Sequence, residues 1–77
     1  MHKELHSLSP REFQVANHIT KGMTNRDIGD KLYISERTVK FHAANIYKKL
    51  KIKNRAGLIS GYISEMQRIE KLKISIH

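Results

Sequence analysis

Apolar residues recur at helical spacing in four stretches of this chain, and no stretch is assigned as a strand. The first stretch opens on a strong start signal. Ser9-Pro10-Arg11-Glu12 has the form of a capping box, in which the serine oxygen accepts the N–H three residues on and the glutamate reaches back. Proline at the first helical position gives up no needed donor. Leu8 is placed to staple onto Phe13, while Val15, Ala16 and Ile19 form one apolar face. Gly22 is the natural stop, because it tolerates the left-handed conformation.

A second start follows at once: Thr24 as N-cap with Asp27 three residues on predicts a short helix, about 24–32, carrying Ile28 and Leu32. Tyr33-Ile34 is a brief link, and Ser35 caps a third helix, about 35–50, whose inward residues Val39, Ala43, Ile46 and Leu50 follow the i, i+4, i+7, i+11 series. After Lys51-Ile52-Lys53, Asn54 caps a fourth helix that carries Leu58, Ile59, Tyr62, Ile63, Met66 and Ile69. The last residues, KLKISIH, read equally as a final turn or an extended tail. The expected class is all-α, a compact four-helix domain containing a helix-turn-helix, since only two or three residues join the second and third helices. Its expected limits are a flexible N-terminal tail at 1–7, the domain at 8–72 and a C-terminal tail at 73–77.

The third helix has a second face that core packing does not explain. At about 100° per residue, Arg37, Lys40, Phe41, Ala44, Asn45 and Lys48 fall opposite the apolar series. Charge sharpens the point. The formal net charge is +8, and residues 37–55 hold seven Lys/Arg and no acid, whereas the rest of the chain is nearly neutral. Such a local patch attracts polyanions, nucleic acid before anionic membrane. A helix of this width fits the major groove of B-form DNA. Lysine and arginine there suit guanine acceptors or phosphates, asparagine suits adenine or a phosphate, and Phe41 and Ala44 suit thymine methyls. Two plainer readings stay open: Phe41 folding sideways onto a neighbouring helix, and Ala44 serving helix propensity alone. At the start of the second helix, Thr24-Asn25-Arg26 offers a hydroxyl, an amide, free N–H groups and a cation, which suit a phosphate oxygen beside ordinary capping.

These residues resemble the LuxR-type (GerE-type) helix-turn-helix domain of bacterial transcription regulators. The resemblance covers about residues 8–63: LSPRE at 8–12, Gly22, TNRDIGDKLYIS at 24–35, TVKFHAANIYKKL at 38–50, and Ile52 and Arg55 beyond. Every fixed position of the family's Thr-Val-Lys-x-His-x-x-Asn-Ile-x-x-Lys-Leu run is present, from Thr38 to Leu50. The resemblance implies sequence-specific binding of double-stranded DNA, with no cofactor and no metal. It implies that Thr38-Val39-Lys40 opens the recognition helix, that Lys40 reaches the groove, and that Phe41 and Ala44 read bases. Asn45 and Lys49 then make backbone contacts or hold the helix in place, and Thr24 and Ser35 meet phosphates. It further implies a homodimer through the fourth helix on an inverted-repeat site, with RNA polymerase as a further candidate partner, in the bacterial cytoplasm on the nucleoid. Relatives usually carry a receiver or ligand-binding domain ahead of this unit, so the expectation is a response-regulator-type output domain or a stand-alone regulator. The chain departs from the family's usual residues at Ala16, at His18 and at Gly29, where alanine is common.

In the fourth helix, Gly57 and Gly61 are four apart and flanked by Ser60 and Ser64. Each internal glycine costs about 1 kcal/mol against alanine, so keeping both suggests close approach to another helix. A dimer face of Gly57, Ser60, Gly61 and Ser64 and packing against the first helix are equally open.

Other classes fit less well. No cysteine is present, so there is no disulfide framework or thiolate site. The five histidines include a His2/His6 pair four apart, without an accompanying carboxylate cluster, which argues against metal. An enzyme lacks a nucleophile–base pair, a glycine-rich phosphate loop and chain enough for a deep pocket. No apolar run approaches a membrane span, and MHKELHSLSPRE lacks the apolar centre of a signal peptide. The alternatives retained are a sigma-factor-like promoter-recognition domain and a basic membrane- or protein-docking module.

Overall fold

The computed structural model describes residues 3–76, with side chains from Leu5 to Leu72. A single 3-10 turn, Lys3–Ser7, leads into α1 (Pro10–Thr20), α2 (Asn25–Leu32), α3 (Glu36–Leu50) and α4 (Arg55–Ile76). Each start is built as the local chemistry dictates. Ser9 N–H donates to Glu12 Oε1 at 2.9 Å while Ser9 Oγ accepts Glu12 N–H at 3.1 Å, so the capping box is complete. Thr24 and Ser35 hydroxyl oxygens accept the N–H groups of Asp27 and Thr38, and Asn54 Oδ1 accepts that of Gly57 at 2.9 Å. Gly22 ends the first turn system at φ +87°, as its freedom allows.

The helices enclose one core. Val15, Ala16 and Ile19 of α1, Ile28 of α2, Val39 and Ile46 of α3 and Leu58 of α4 are fully buried, with Ala43, Leu50, Tyr62 and Met66 beside them. α1 packs against both α3 and α4, and α2 packs against α3. The small Ala16 is fully buried, so α1 seats closely, and Phe13 and Leu8 pack half-buried at the rim of the core.

Two expected boundaries change. Residues 3–7 are not a loose tail: the 3-10 turn packs against α3 and buries Leu5 in the core, a tertiary effect with no local period to announce it. At the other end α4 continues to Ile76 instead of giving way to a tail at 73, since nothing in KLKISI breaks a helix. Met1, His2 and His77, including the His2 half of the histidine pair, lie outside the described residues.

The link between α2 and α3 carries the helix-turn-helix geometry. Tyr33 takes the left-handed conformation at φ 60°, and Ile34 N–H donates to the Gly29 carbonyl at 2.9 Å. This folds the link back over α2 so tightly that a Cβ on Gly29 would lie 2.7 Å from the Ile34 carbonyl oxygen.

Candidate nucleic-acid interface

α3 buries Val39, Ala43, Ile46 and Leu50 and turns Arg37, Lys40, Phe41, Ala44 and Lys48 to solvent. These five fall within an arc of about 100° at helical spacing. Phe41 remains 64% exposed, with the His42 ring beside it at 5.9 Å between centroids. It does not fold onto another helix, and Ala44 beside it is uncovered. Lys40 has only a long, exposed pairing with Glu36 at 3.9 Å, one that leaves it free to swing away. Ser35 Oγ is held by its cap and by Thr38 Oγ1 at 2.9 Å. Thr38 and Asn45 are half-buried on the flank of the face and not at its centre.

Lys49 belongs elsewhere. Its Nζ lies 2.8 Å from Glu12 Oε1 and 3.2 Å from the Ser7 carbonyl, so it ties α3 to the start of α1. Burial raises the Glu12 carboxyl, but the Lys49 hydrogen bond, the Ser9 N–H and the Lys49 charge together hold it below its ordinary 4.5. Of the two roles the resemblance allows this residue, holding the helix is the one its bonds serve.

The start of α2 presents Thr24 and Arg26 exposed, with Asn25 half-buried between them. The Thr24 hydroxyl oxygen takes Asp27 N–H at 3.1 Å, which leaves its own proton to donate. Asn25 Oδ1 accepts from Arg55 Nη1 at 3.3 Å, and Arg55 Nη2 donates to the Met23 carbonyl. Arg55 therefore leaves the basic patch too. The sequence contained a signal for it: a cation in the first turn of α4 faces the positive end of the helix dipole and needs acceptors from another element. Beyond α3, Lys51 and Lys53 are exposed and extend the cationic surface, and Tyr33 is 94% exposed at the turn. Nothing in the polar pattern marked Tyr33. Only the absence of glycine from the link hinted that a side chain would be held left-handed there.

On α4, Ser60, Gly61 and Ser64 are exposed, and a Cβ on Gly61 would meet nothing within 4 Å. Gly57 is half-buried near Ile52. α4 packs against α1 and buries Leu58, Tyr62 and Met66, on the side away from Ser60, Gly61 and Ser64. His18, also at the α1–α4 seam, keeps its buried Nδ1 without a hydrogen-bond partner among the described residues. Burial lowers its affinity for a proton below the ordinary 6.5, and Lys21 and Lys31 push the same way against Glu70. Among the described residues, no three His, Asp or Glu side chains gather as a metal site requires, and no helix is long and apolar enough to cross a membrane.

The sequence profile described as "Bacterial regulatory proteins, luxR family" matches residues 6–61, which spans α1, α2, α3 and the start of α4. The chain belongs to the LuxR family of bacterial regulatory proteins. It is 49% identical over 53 residues to the transcriptional regulatory protein DegU of Brevibacillus brevis, covering 69% of this chain and 22% of that protein. Transcriptional regulatory protein LnrK of Bacillus subtilis is 44% identical over 52 residues, covering 68% and 24%. The CsgBAC operon transcriptional regulatory protein of Escherichia coli is 38% identical over 61 residues, covering 79% and 28%. The chain thus spans about a quarter of the length of these LuxR-family relatives. No solved structure matches it significantly. The LuxR-family assignment makes the chain a helix-turn-helix domain of the transcription-regulator class, which is not an enzyme class.

Proposed function

We propose that this LuxR-family domain binds double-stranded DNA sequence-specifically, with α3 in the major groove and the start of α2 on the phosphate backbone. The observation that carries the reading is the outward face of α3, where an uncovered Phe41 ring and the Ala44 methyl sit among Arg37, Lys40 and Lys48. A groove lined with acceptors and thymine methyls suits that mixture of cations, ring and methyl. Lys40 then reads base edges, Phe41 and Ala44 touch methyls, and Lys48, with Thr24, Asn25, Arg26 and Ser35, meets phosphates.

In this reading two copies associate through the small-residue face of α4 and bind an inverted repeat, as a response-regulator output domain or a stand-alone regulator in the bacterial cytoplasm, on the nucleoid. The open space around Gly61 supports that face. A promoter-bound regulator also stands beside RNA polymerase, a contact this reading allows without assigning a surface.

Selection of binding sites from random duplexes with the purified chain tests the proposal. The expected outcome is one preferred half-site, repeated with two-fold symmetry. Lys40→Ala then loses discrimination at one base pair by about 1–3 kcal/mol. Unchanged affinity and preference in Lys40→Ala would remove α3 from the groove. Gly61→Leu should abolish self-association in sedimentation, and unaltered association would remove α4 from the dimer.

A further inference from the structure

Arg55 begins α4 with no acid in that first turn, yet its guanidinium is engaged across the molecule. It donates to the Met23 carbonyl and to Asn25 Oδ1, the two residues on either side of Thr24, the N-cap of α2. It also lies near Tyr47 of α3, whose phenol is raised by burial and drawn back partly by the Arg55 charge. One rigid planar group thus joins the start of α4 to the cap of α2.

We propose that Arg55 is a positioning residue for DNA binding, which acts by orienting the Asn25 amide. A guanidinium has donors and no acceptor, so only the amide oxygen can face it. Asn25 Nδ2 is then left with its two N–H donors for a phosphate oxygen. An unheld amide would present oxygen as readily as nitrogen, and oxygen repels phosphate. The bond to the Met23 carbonyl holds the loop before the cap, so the amide and the helix end are set together. This inference rests on the reading that the start of α2 meets the DNA backbone. It further makes α4 continuous with the DNA-facing end of α2.

A double-mutant cycle tests it, with affinity for a selected duplex measured over a range of salt, well below every variant's unfolding midpoint. Arg55→Gln and Asn25→Ala should each weaken binding about five- to tenfold. The double variant should be no weaker than the worse single by more than about twofold, because both remove one oriented donor. Arg55→Gln should leave the log–log salt slope close to that of the parent, since its charge reaches no phosphate. Arg55→Lys should recover part of the loss, its ammonium satisfying one acceptor at a time. Losses that multiply, with the slope falling by about 0.9 even beside Asn25→Ala, would mean that Arg55 contacts a phosphate itself and would overturn the inference. Unchanged affinity in Arg55→Gln would overturn it too. Arg26→Ala reports separately on the underlying reading. If it changes neither affinity nor slope, the α2 end is not on the backbone and both ideas fall. If it weakens binding while the cycle is additive, only the role of Arg55 falls. Should Arg55→Gln not fold, Asn25→Asp carries the test. It keeps the acceptor for Arg55 and hence the fold, but places an oxygen where Nδ2 stood. Its loss of affinity should exceed that of Asn25→Ala, and an equal or smaller loss would overturn the proposal.

Discussion

At Gly29 one absent methyl decides whether the turn can close. A Cβ there would meet the Ile34 carbonyl oxygen at 2.7 Å and the Glu36 nitrogen at 3.4 Å, both backbone atoms that cannot rotate aside. An alanine there would push the link outward and disturb the Ser35 cap of α3. Gly29→Ala should lower stability by about 1–3 kcal/mol as overpacking does, read from the urea midpoint at constant m-value. A neutral or stabilising result would show that the link shifts without cost. In the sequence Gly29 stood out only against the residue that the family resemblance implies. The reason lay in a contact five residues away, made when Tyr33 takes a left-handed backbone that its side chain gives no cause to expect. Phe41 differs: its outward place followed from helical spacing alone, and only its degree of exposure needed the structure.

At the scale of elements, the four helix starts were legible because caps are local, each satisfied within three residues. What joins the helices was not legible, because it depends on partners far along the chain. The Glu12–Lys49 pair, 37 residues apart, is the clearest case. Lys49→Met would leave a buried carboxylate with the Ser9 N–H as its remaining partner, at a cost of about 1–3 kcal/mol near neutral pH. Linkage gives a second signature. The folded Glu12 carboxyl lies below its ordinary 4.5, so the unfolded chain takes up the proton first. Its stabilising effect is present above that value and is lost as pH falls through the folded one. In Lys49→Met, burial acts against a weaker opposition and the carboxyl moves up. The acid-side loss should then be smaller in Lys49→Met, so the stability gap between the two proteins narrows as urea titrations run from pH 7 to 3. An identical pH profile for both proteins would mean that the pair does not form in solution.

Across the whole molecule, the same division sorts the charge. The chain carries +8, but its basic stretch does not act as one patch. Lys49 and Arg55 are engaged by Glu12, Ser7, Met23 and Asn25, while Arg37, Lys40, Lys48, Lys51 and Lys53 face solvent. Counterion release separates the two groups, because only a cation seated on a phosphate displaces a condensed ion. Lys48→Ala should lower the log–log salt slope by about 0.9 and weaken specific and random duplexes alike. Lys49→Met should leave the slope nearly unchanged at a temperature where the variant is folded, although it removes the same formal charge from the adjacent residue. Equal slope changes would mean that DNA senses only the net charge of the domain. A larger change for Lys49 would mean that its bond to Glu12 is given up on binding, and that the α1–α3 tie opens when α3 enters the groove.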